Sequence, residues 1–198
     1  FCDIRTSYFK GMNRALKITN TMEEVLILDS DFEKNNVGIE VNNVYDMKIY
    51  RTDFYSYVNN SGEGVRAFDL EKLFTLDVDF NTLLNGISIN NSIPNSSHFI
   101  EFENSNFVNL GSYGARINDN GYAKFTHCTF DNNSTGIEAT NCYDINFNNG
   151  NIINNVTGVY ITDVSKFNFN SGQHVLFASD NIVSNNSTGI YGLRSTVF

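Results

Sequence analysis

A short phrase of the form Thr-Gly-Ile recurs along the chain, and its glycine marks the start of a repeating unit. The glycines, with Ala15 as an earlier member, are Ala15, Gly38, Gly64, Gly86, Gly114, Gly136, Gly158 and Gly189. Three of the intervals between them are 22 residues, and the others range from 23 to 31. A repeat of this length predicts structural units that stack on one another and share a continuous core.

Other positions of the unit keep their chemical character in the same register. The residue after the anchor is apolar in every copy: Leu16, Ile39, Val65, Ile87, Ala115, Ile137, Val159 and Ile190. The third residue after it is apolar in all copies but the last: Ile18, Val41, Ala67, Ile89, Ile117, Ala139, Ile161 and then Gly192. Six residues before the anchor stand Phe9, Phe32, Val58, Phe80, Val108, Phe130, Ile152 and Val183. Alternation with period two indicates short strands that bury one face.

Each unit contains about three such runs, so equivalent runs of successive units must pair with each other in parallel. The prediction is an all-β parallel β-helix, or β-solenoid, with about eight rungs of roughly 22 residues and three short parallel sheets.

A polar position five residues after the anchor predicts a tight corner. Its members are Asn20, Asn43, Asp69, Asn91, Asp119, Asn141 and Asp163, and the column ends at Arg194. Asn and Asp tolerate left-handed backbone, so they suit a bend between two strands. We expect these residues to form a structural turn ladder.

Composition narrows the functions. The net charge of −9 disfavours nucleic acid and anionic membrane surfaces, because a basic stripe that could neutralise phosphate is lacking. The 32 asparagines occur with 17 Phe and 10 Tyr, which favours a folded repeat over a disordered tract. Three cysteines, Cys2, Cys128 and Cys142, do not make a disulfide framework, and we expect buried thiols.

We expect residues 1–198 to form a single β-helix domain that is a piece of a longer chain. In this prediction residues 1–8 are a leading segment. The longer intervals place inserted loops near residues 50–62, 91–104 and 171–181.

The three runs per coil, the Asn-rich turn and phrases such as "NNSTGI" resemble the pectate-lyase-like superfamily of right-handed parallel β-helices. The Asn-rich character is also similar to NosD-like and adhesin-type repeats of bacterial surface proteins. The resemblance implies a right-handed coil and a secreted or cell-surface location. It leaves function open, since the superfamily includes polysaccharide lyases, glycoside hydrolases, phage tailspikes and non-enzymatic stalks.

The catalytic motifs of the polygalacturonase-like and pectate-lyase-like members are lacking, so no catalytic residue is assigned. The histidines His98, His127 and His174 have no metal-ligand spacing, and no metal site is predicted. Glu101 and Glu103, near an inserted loop, are a second place to look for function. No cofactor is assigned, although acidic pairs leave calcium as a weakly supported option.

One outward cluster is a candidate carbohydrate- or cation-binding face: Asp29, Asp31, Tyr55, Tyr57, Asp77 and Asp79. Counting back from the anchors places the tyrosine pair on the rung between the two aspartate pairs. Two rungs, about 9.6 Å, would then separate the aspartate pairs, near the spacing of inverting glycosidases. The alternative interpretation is solubilising surface.

These observations favour a structural or interaction segment of a secreted or cell-surface protein, serving as a stalk, spacer or adhesin surface. Its expected partners are flanking rungs or domains and polysaccharide or cell-surface components, without nucleic acid and without membrane insertion. The alternatives are a carbohydrate-active enzyme, either polysaccharide lyase or glycoside hydrolase, and a phage tailspike-like shaft.

Overall fold

A computed structural model describes residues 1–57, 61–92, 97–170, 182–184 and 186–197, and within them there are β-strands and no helix. The strands are β1 Cys2–Arg5, β2 Tyr8–Lys10, β3 Leu16–Leu28, β4 Asp31–Glu33, β5 Val37–Tyr55, β6 Glu63–Asn81, β7 Asn85–Asn90, β8 Phe99–Glu103, β9 Asn106–Val108, β10 Tyr113–Asn118, β11 Tyr122–Thr126, β12 Thr129–Asp131, β13 Thr135–Thr140, β14 Asp144–Asn148, β15 Asn151–Ile153, β16 Thr157–Thr162, β17 Lys166–Asn170, β18 Ile182–Ser184 and β19 Thr188–Leu193.

The strand pairings are parallel and connect equivalent segments of successive coils into three ladders. The first ladder runs through β3, β5, β6, β7, β10, β13, β16 and β19. The second runs through β1, β3, β5, β6, β8, β11, β14 and β17. The third runs through β2, β4, β5, β6, β9, β12, β15 and β18. The chain is a parallel β-solenoid of about seven turns, close to the eight rungs predicted.

The inward positions of the first ladder match the sequence pattern. Ile39 and Val41 of β5 are fully buried, as are Val65 and Ala67 of β6 on the next rung. The same two positions are fully buried in β7, β10, β13 and β16. Burying these side chains between stacked rungs supplies the hydrophobic stabilisation that one rung alone lacks.

The third ladder is held by a stack of aromatic rings. Its members are Phe9, Phe32, Phe54, Phe80, Phe107 and Phe130, with ring centroids 4.5–4.9 Å apart. The sequence register was wrong at Val108, which is half-buried, because Phe107 takes the inward position. It also placed Val58 in this column, but Phe54 takes that position and Val58 lies outside the described residues. Phe54 lies ten residues and Phe107 seven residues before the next anchor, whereas Phe80 lies six before its anchor, so counting back six residues from the glycine selects the wrong residue in these coils.

The corner between the first and second ladders has left-handed backbone at most of the predicted turn-ladder positions. Positive φ values of 50–55° occur at Asn20, Asn43, Asp69, Asp119, Asn141 and Asp163, and Arg194 follows with φ of 49°. Asn91 is the exception among these positions, since it does not have a positive φ. Its buried amide oxygen accepts the Leu70 backbone N–H at 2.9 Å, and its amide group donates to Asn120 at 3.0 Å.

Residues 1–8, predicted as a leading segment of the single domain, contain β1, which pairs with β3, and the first residue of β2, which pairs with β4. The extra residues of two coils lie between the end of β5 at Tyr55 and the start of β6 at Glu63, and between the end of β7 at Asn90 and the start of β8 at Phe99. The predicted loop at 171–181 lies outside the described residues.

A buried asparagine ladder occupies the corner between the third and first ladders. The Asn133 amide donates to the Phe107 carbonyl at 3.0 Å, and its oxygen accepts the Leu110 N–H at 2.9 Å. Asn155 repeats the pattern one rung later, donating to Phe130 and accepting from the Asn133 N–H. These bonds provide partners for backbone N–H and carbonyl groups that, at the corner, cannot pair with a neighbouring strand.

Candidate functional site

An unbroken row of polar residues lies on the outward face of the third ladder. Asp31 of β4 pairs with Asp53 of β5, which pairs with Asp79 of β6, which pairs with Asn106 of β9. Each inward neighbour in these strands is a phenylalanine of the buried stack, so the aspartates must point outward. Adjacent strands place the backbones of successive aspartates about 4.8 Å apart.

The predicted face is therefore rearranged. The sequence register put Tyr55 and Tyr57 between the aspartate pairs, whereas the structure puts Asp53 there. Tyr55 lies two residues further along β5, opposite Glu33 and Asn81. Tyr57 follows the strand, is 71% exposed and meets the Tyr55 ring edge-on at 5.8 Å.

Asp29 and Asp77 lie apart from this row, at the corner between the second and third ladders. Both have positive φ, as does Arg51 between them. Arg51 donates two hydrogen bonds to Asp29, at 2.6 and 3.2 Å. The Arg51 guanidinium holds the pKa of Asp29 below its usual range. These two aspartates belong to a corner ladder with a structural role.

A groove runs beside the aspartate row. A cavity of about 300 Å³ is lined by Asp53, Phe54, Tyr55, Ser56, Tyr57, Asp79, Asn81 and Thr82. A second cavity of about 190 Å³ shares Asp79 and Asn81 and continues past Asn106. We call the surface formed by Asp31, Asp53, Asp79, Tyr55, Tyr57 and the other residues lining the first cavity the acidic groove.

The electrostatics of the acidic groove follow from carboxylates that lack a counter-charge. Among the residues that the structure describes, Asp31, Asp53 and Asp79 form no ion pair, and Asp79 accepts one hydrogen bond from Asn106 at 2.7 Å. Partial burial, reinforced by the charges of Asp79 and Asp31, raises the pKa of Asp53. Burial and the nearby acids raise the pKa of Tyr55 to about 12, so its phenol keeps its proton at neutral pH.

The rim of the groove already holds an ammonium group. The Nζ atom of Lys34 lies 4.9 Å from the centroid of the Tyr57 ring, which is a cation–π contact. Lys34 also lies 3.8 Å from the carboxylate of Glu33, a buried residue that pairs with Lys10 at 2.9 Å. Tyr8 donates a hydrogen bond to the other oxygen of Glu33.

A second polar cluster, which the sequence reasoning missed, lies on the outward face of the first ladder. Glu63 is 5% exposed and binds Arg66 at 2.7 Å. Tyr113 is equally buried and lies under the Arg116 guanidinium, 3.9 Å from its ring centroid. Arg116 forms two hydrogen bonds with Glu138, at 2.9 and 3.0 Å. Burial raises the pKa of Glu63, although the neighbouring arginines oppose the shift.

The signal for this second cluster is present in the repeat register. The column two residues after the anchor reads Lys17, Glu40, Arg66, Ser88, Arg116 and Glu138, with opposite charges on adjacent rungs at most steps. Such a column favours cross-strand ion pairs. Two pairs in it are close enough to interact, Arg66 with Glu40 at 3.9 Å and Arg116 with Glu138 at 2.9 Å, so we assign these four residues a structural role.

The remaining candidates lie elsewhere. Glu101 pairs with Lys124 at 2.7 Å on the second ladder, and Glu103 follows it in β8. His127 is a corner residue with positive φ, and His98 contacts the Asn91 amide at 3.1 Å. His174 lies outside the described residues.

All three cysteines are free thiols. Cys128 and Cys142 are buried, whereas Cys2 is only half-buried. Burial raises the pKa of Cys128 to about 12 and that of Cys142 to about 11. Such thiols are small core residues with little thiolate character at neutral pH.

Within the described ranges, no group of three or more His, Cys, Asp or Glu side chains is arranged to hold a metal ion. Over the same residues, no helix has the length and apolar character that crossing a membrane requires.

The three ladders and stacked core define the chain as a parallel β-helix repeat protein. No protein-family model and no curated protein matches it. Among solved structures, it is similar to the crystal structure of the periplasmic alginate epimerase AlgG, with a TM-score of 0.72 and 14% sequence identity. The match covers 99% of this chain and 50% of that one, so the chain spans about half the length of the epimerase structure. At this identity the likeness shows the shared fold.

Proposed function

We propose that the chain is a rigid β-solenoid segment of a secreted or cell-surface protein, which contacts a saccharide through the acidic groove. The observation that carries the proposal is the groove itself. It combines a cavity of about 300 Å³, two tyrosines at its wall and a row of carboxylates that form no ion pair with any described residue. Aromatic rings beside convergent polar groups are typical of ligand sites.

The rest of the described surface supports a scaffold role. Ten of the 13 basic residues form ion pairs with the chain's own carboxylates: Arg5, Lys10, Arg14, Lys34, Lys48, Arg51, Arg66, Arg116, Lys124 and Arg194. Most of these ion pairs join neighbouring rungs, so these basic side chains connect one coil to the next.

The proposed location and partners follow from the same features. The similar solved structure is of a periplasmic protein, which supports a place outside the cytoplasm for this chain. The partners would be flanking rungs or domains, a polysaccharide or other cell-surface component, without nucleic acid and without membrane insertion. Calcium, if it is needed, would act at the acidic groove.

A second candidate function is glycoside hydrolysis in the same groove. Asp53 and Asp79 lie on adjacent rungs, about 4.8 Å apart by strand spacing, which is close to the separation of about 5–5.5 Å in retaining glycosidases. The raised pKa of Asp53 suits a general acid, with Asp79 as nucleophile. This geometry replaces the inverting spacing expected from the sequence. The chain shares its fold with an alginate epimerase, which is consistent with hydrolysis in the groove. A shared fold does not by itself establish an activity.

The test is binding of the 198-residue chain to a panel of neutral, acidic and amino polysaccharides, with calcium and with EDTA, while products are scored. Asp53→Asn and Asp79→Asn change the groove, and Asp131→Asn on the same ladder is the matched control. Saccharide binding that only the groove variants lose supports the proposal. Released sugars with saturated ends would establish the hydrolase, those with unsaturated ends would indicate a lyase, and a folded chain that binds no saccharide would overturn the groove as a contact surface. A trimer by light scattering would favour the phage tailspike-like shaft.

A further inference from the structure

The charge of the acidic groove restricts its ligand. Asp31, Asp53 and Asp79 place three carboxylates on successive rungs, and no described cation pairs with them. The whole chain carries a net charge of −9. A ligand that brings a carboxylate into this row would be repelled by each aspartate, and one that brings an ammonium would be attracted.

The size of the cavity restricts the ligand of the acidic groove further. A volume of about 300 Å³ is at the small end of ligand pockets, so it suits one ring-sized unit and not a large cofactor. The wall residues include the aromatic ring of Tyr55 and the polar side chains of Thr82 and Asn81, where the Thr82 hydroxyl donates to the Asn81 amide oxygen at 2.7 Å. These groups match a sugar ring with hydroxyls around its rim.

A second observation, independent of the aspartates, points to the same ligand chemistry. The ammonium of Lys34 lies against the exposed Tyr57 ring at the edge of the groove. In this contact the Tyr57 ring faces an ammonium group that also lies 3.8 Å from the Glu33 carboxylate, which is the combination of ring and carboxylate that the groove offers a ligand. Tyr55 adds no negative charge, because its phenol stays protonated, and it can donate a hydrogen bond to a ligand oxygen.

We propose that the acidic groove selects an amino sugar with a free amine, and discriminates against N-acetylated and uronate units. The ammonium would lie between Asp53 and Asp79, with the sugar ring against Tyr55. This inference rests on the proposed function of the groove and adds the ligand's charge to it.

The experiment is calorimetric titration of the 198-residue chain with three short oligosaccharides: a glucosamine trimer, an N-acetylglucosamine trimer and a glucuronate-containing trimer. One charge-assisted contact corresponds to about tenfold in affinity, so the glucosamine trimer should bind about tenfold or more tightly than the N-acetylated one. Added salt should reduce that preference. The preference should vanish in Asp53→Asn/Asp79→Asn and persist in Asp131→Asn.

The outcomes separate the two proposals. Equal affinity for the glucosamine and N-acetylglucosamine trimers would overturn the inference while leaving a saccharide groove. Absence of binding to all three trimers and to the polysaccharide panel would overturn both. Binding of a lysine-rich peptide together with failure of the glucosamine trimer would overturn the inference and assign the groove to a basic protein segment.

Discussion

Gly64 lies directly against the ring of Phe80. A β-carbon added at Gly64 would come within 2.5 Å of Phe80 Cδ1 and 2.6 Å of the Gly86 carbonyl oxygen. The same relationship recurs at Gly114, where the nearest atoms are the Gly136 oxygen and the Phe130 ring, both at 2.6 Å. From Gly38 to Gly114, the anchor glycine therefore makes room for the phenylalanine ring of the aromatic stack in the same coil.

Replacing Gly64 with alanine should destabilise the solenoid. The added methyl group overlaps backbone and a buried ring, neither of which can move away freely, so we expect a loss of about 1–3 kcal/mol. Gly192→Ala is the control, because its nearest atom would be 3.5 Å from the new methyl group. Urea denaturation of the two variants measures the difference. Equal midpoints would contradict the packing described for Gly64.

Removing a ring from the stack should cost more than removing an exposed ring. Phe107 is fully buried between Phe80 and Phe130, at centroid distances of 4.8 and 4.5 Å. Phe107→Ala should lower the free energy of unfolding by about 3–5 kcal/mol. Phe68→Ala, at a side chain that is 38% exposed, should lower it by much less. A similar loss in both variants would argue against a continuous stack.

The buried asparagine ladder should be sensitive to truncation. Asn133→Ala would leave the Leu110 N–H and the Phe107 carbonyl without their partner, at a cost of about 1–3 kcal/mol. Asn168→Ala is the comparison, since that amide donates to Asp144 and Asn146 side chains at the half-buried surface. Chemical denaturation should rank Asn133 well above Asn168. The reverse ranking would show that the corner bonds contribute little.

Glu63 should make stability fall as the pH rises. Its folded pKa is raised above the usual value of 4.5, so its contribution is fully present below that value and is lost as the pH climbs through the raised pKa. Glu63→Gln cannot titrate, so the urea midpoint of the unmodified chain should fall relative to that of the variant with increasing pH.

Asp29→Asn gives the opposite sign and serves as the control. The folded pKa of Asp29 is lowered by Arg51, so its contribution is present above the usual aspartate value and is lost as the pH falls through the lowered pKa. Parallel midpoint curves for the Glu63→Gln variant and the unmodified chain would contradict the raised pKa of Glu63.

The repeat register predicted the architecture because its strongest signals come from the core. The positions after each anchor glycine, such as Ile39 and Val65, are fully buried from β5 to β16 and are more exposed only in β3 and β19 at the two ends of the ladder, and burial imposes strict alternation on a strand. The corners formed by Asn and Asp could also be predicted from the sequence, since few other residues readily tolerate left-handed backbone.

The groove was harder to derive from the sequence, because its alignment depends on where the extra residues of a coil fall. Phe54 lies ten residues before Gly64, whereas Phe80 lies six before Gly86, and a fixed offset therefore selects the wrong residue. Because of this error in register, Tyr55 and Tyr57 were aligned with the aspartates in place of Asp53, and the unbroken aspartate row was not predicted. The corner between the second and third ladders was not predicted for a different reason. Arg51 and His127 share the left-handed backbone of Asp29 but do not have its carboxylate side chain.

The most direct test of the account is disulfide trapping across the third ladder. In a Cys2→Ser background, the pair Asp53→Cys/Asp79→Cys should cross-link on mild oxidation, because directly paired strands bring the two Cα atoms about 4.8 Å apart, within disulfide range. The pair Tyr57→Cys/Asp79→Cys, adjacent in the sequence-derived register, should stay reduced. Cross-linking of the first pair alone confirms the aspartate row on which the groove depends. Cross-linking of the second pair alone would contradict the row, and with it the groove's proposed ligand.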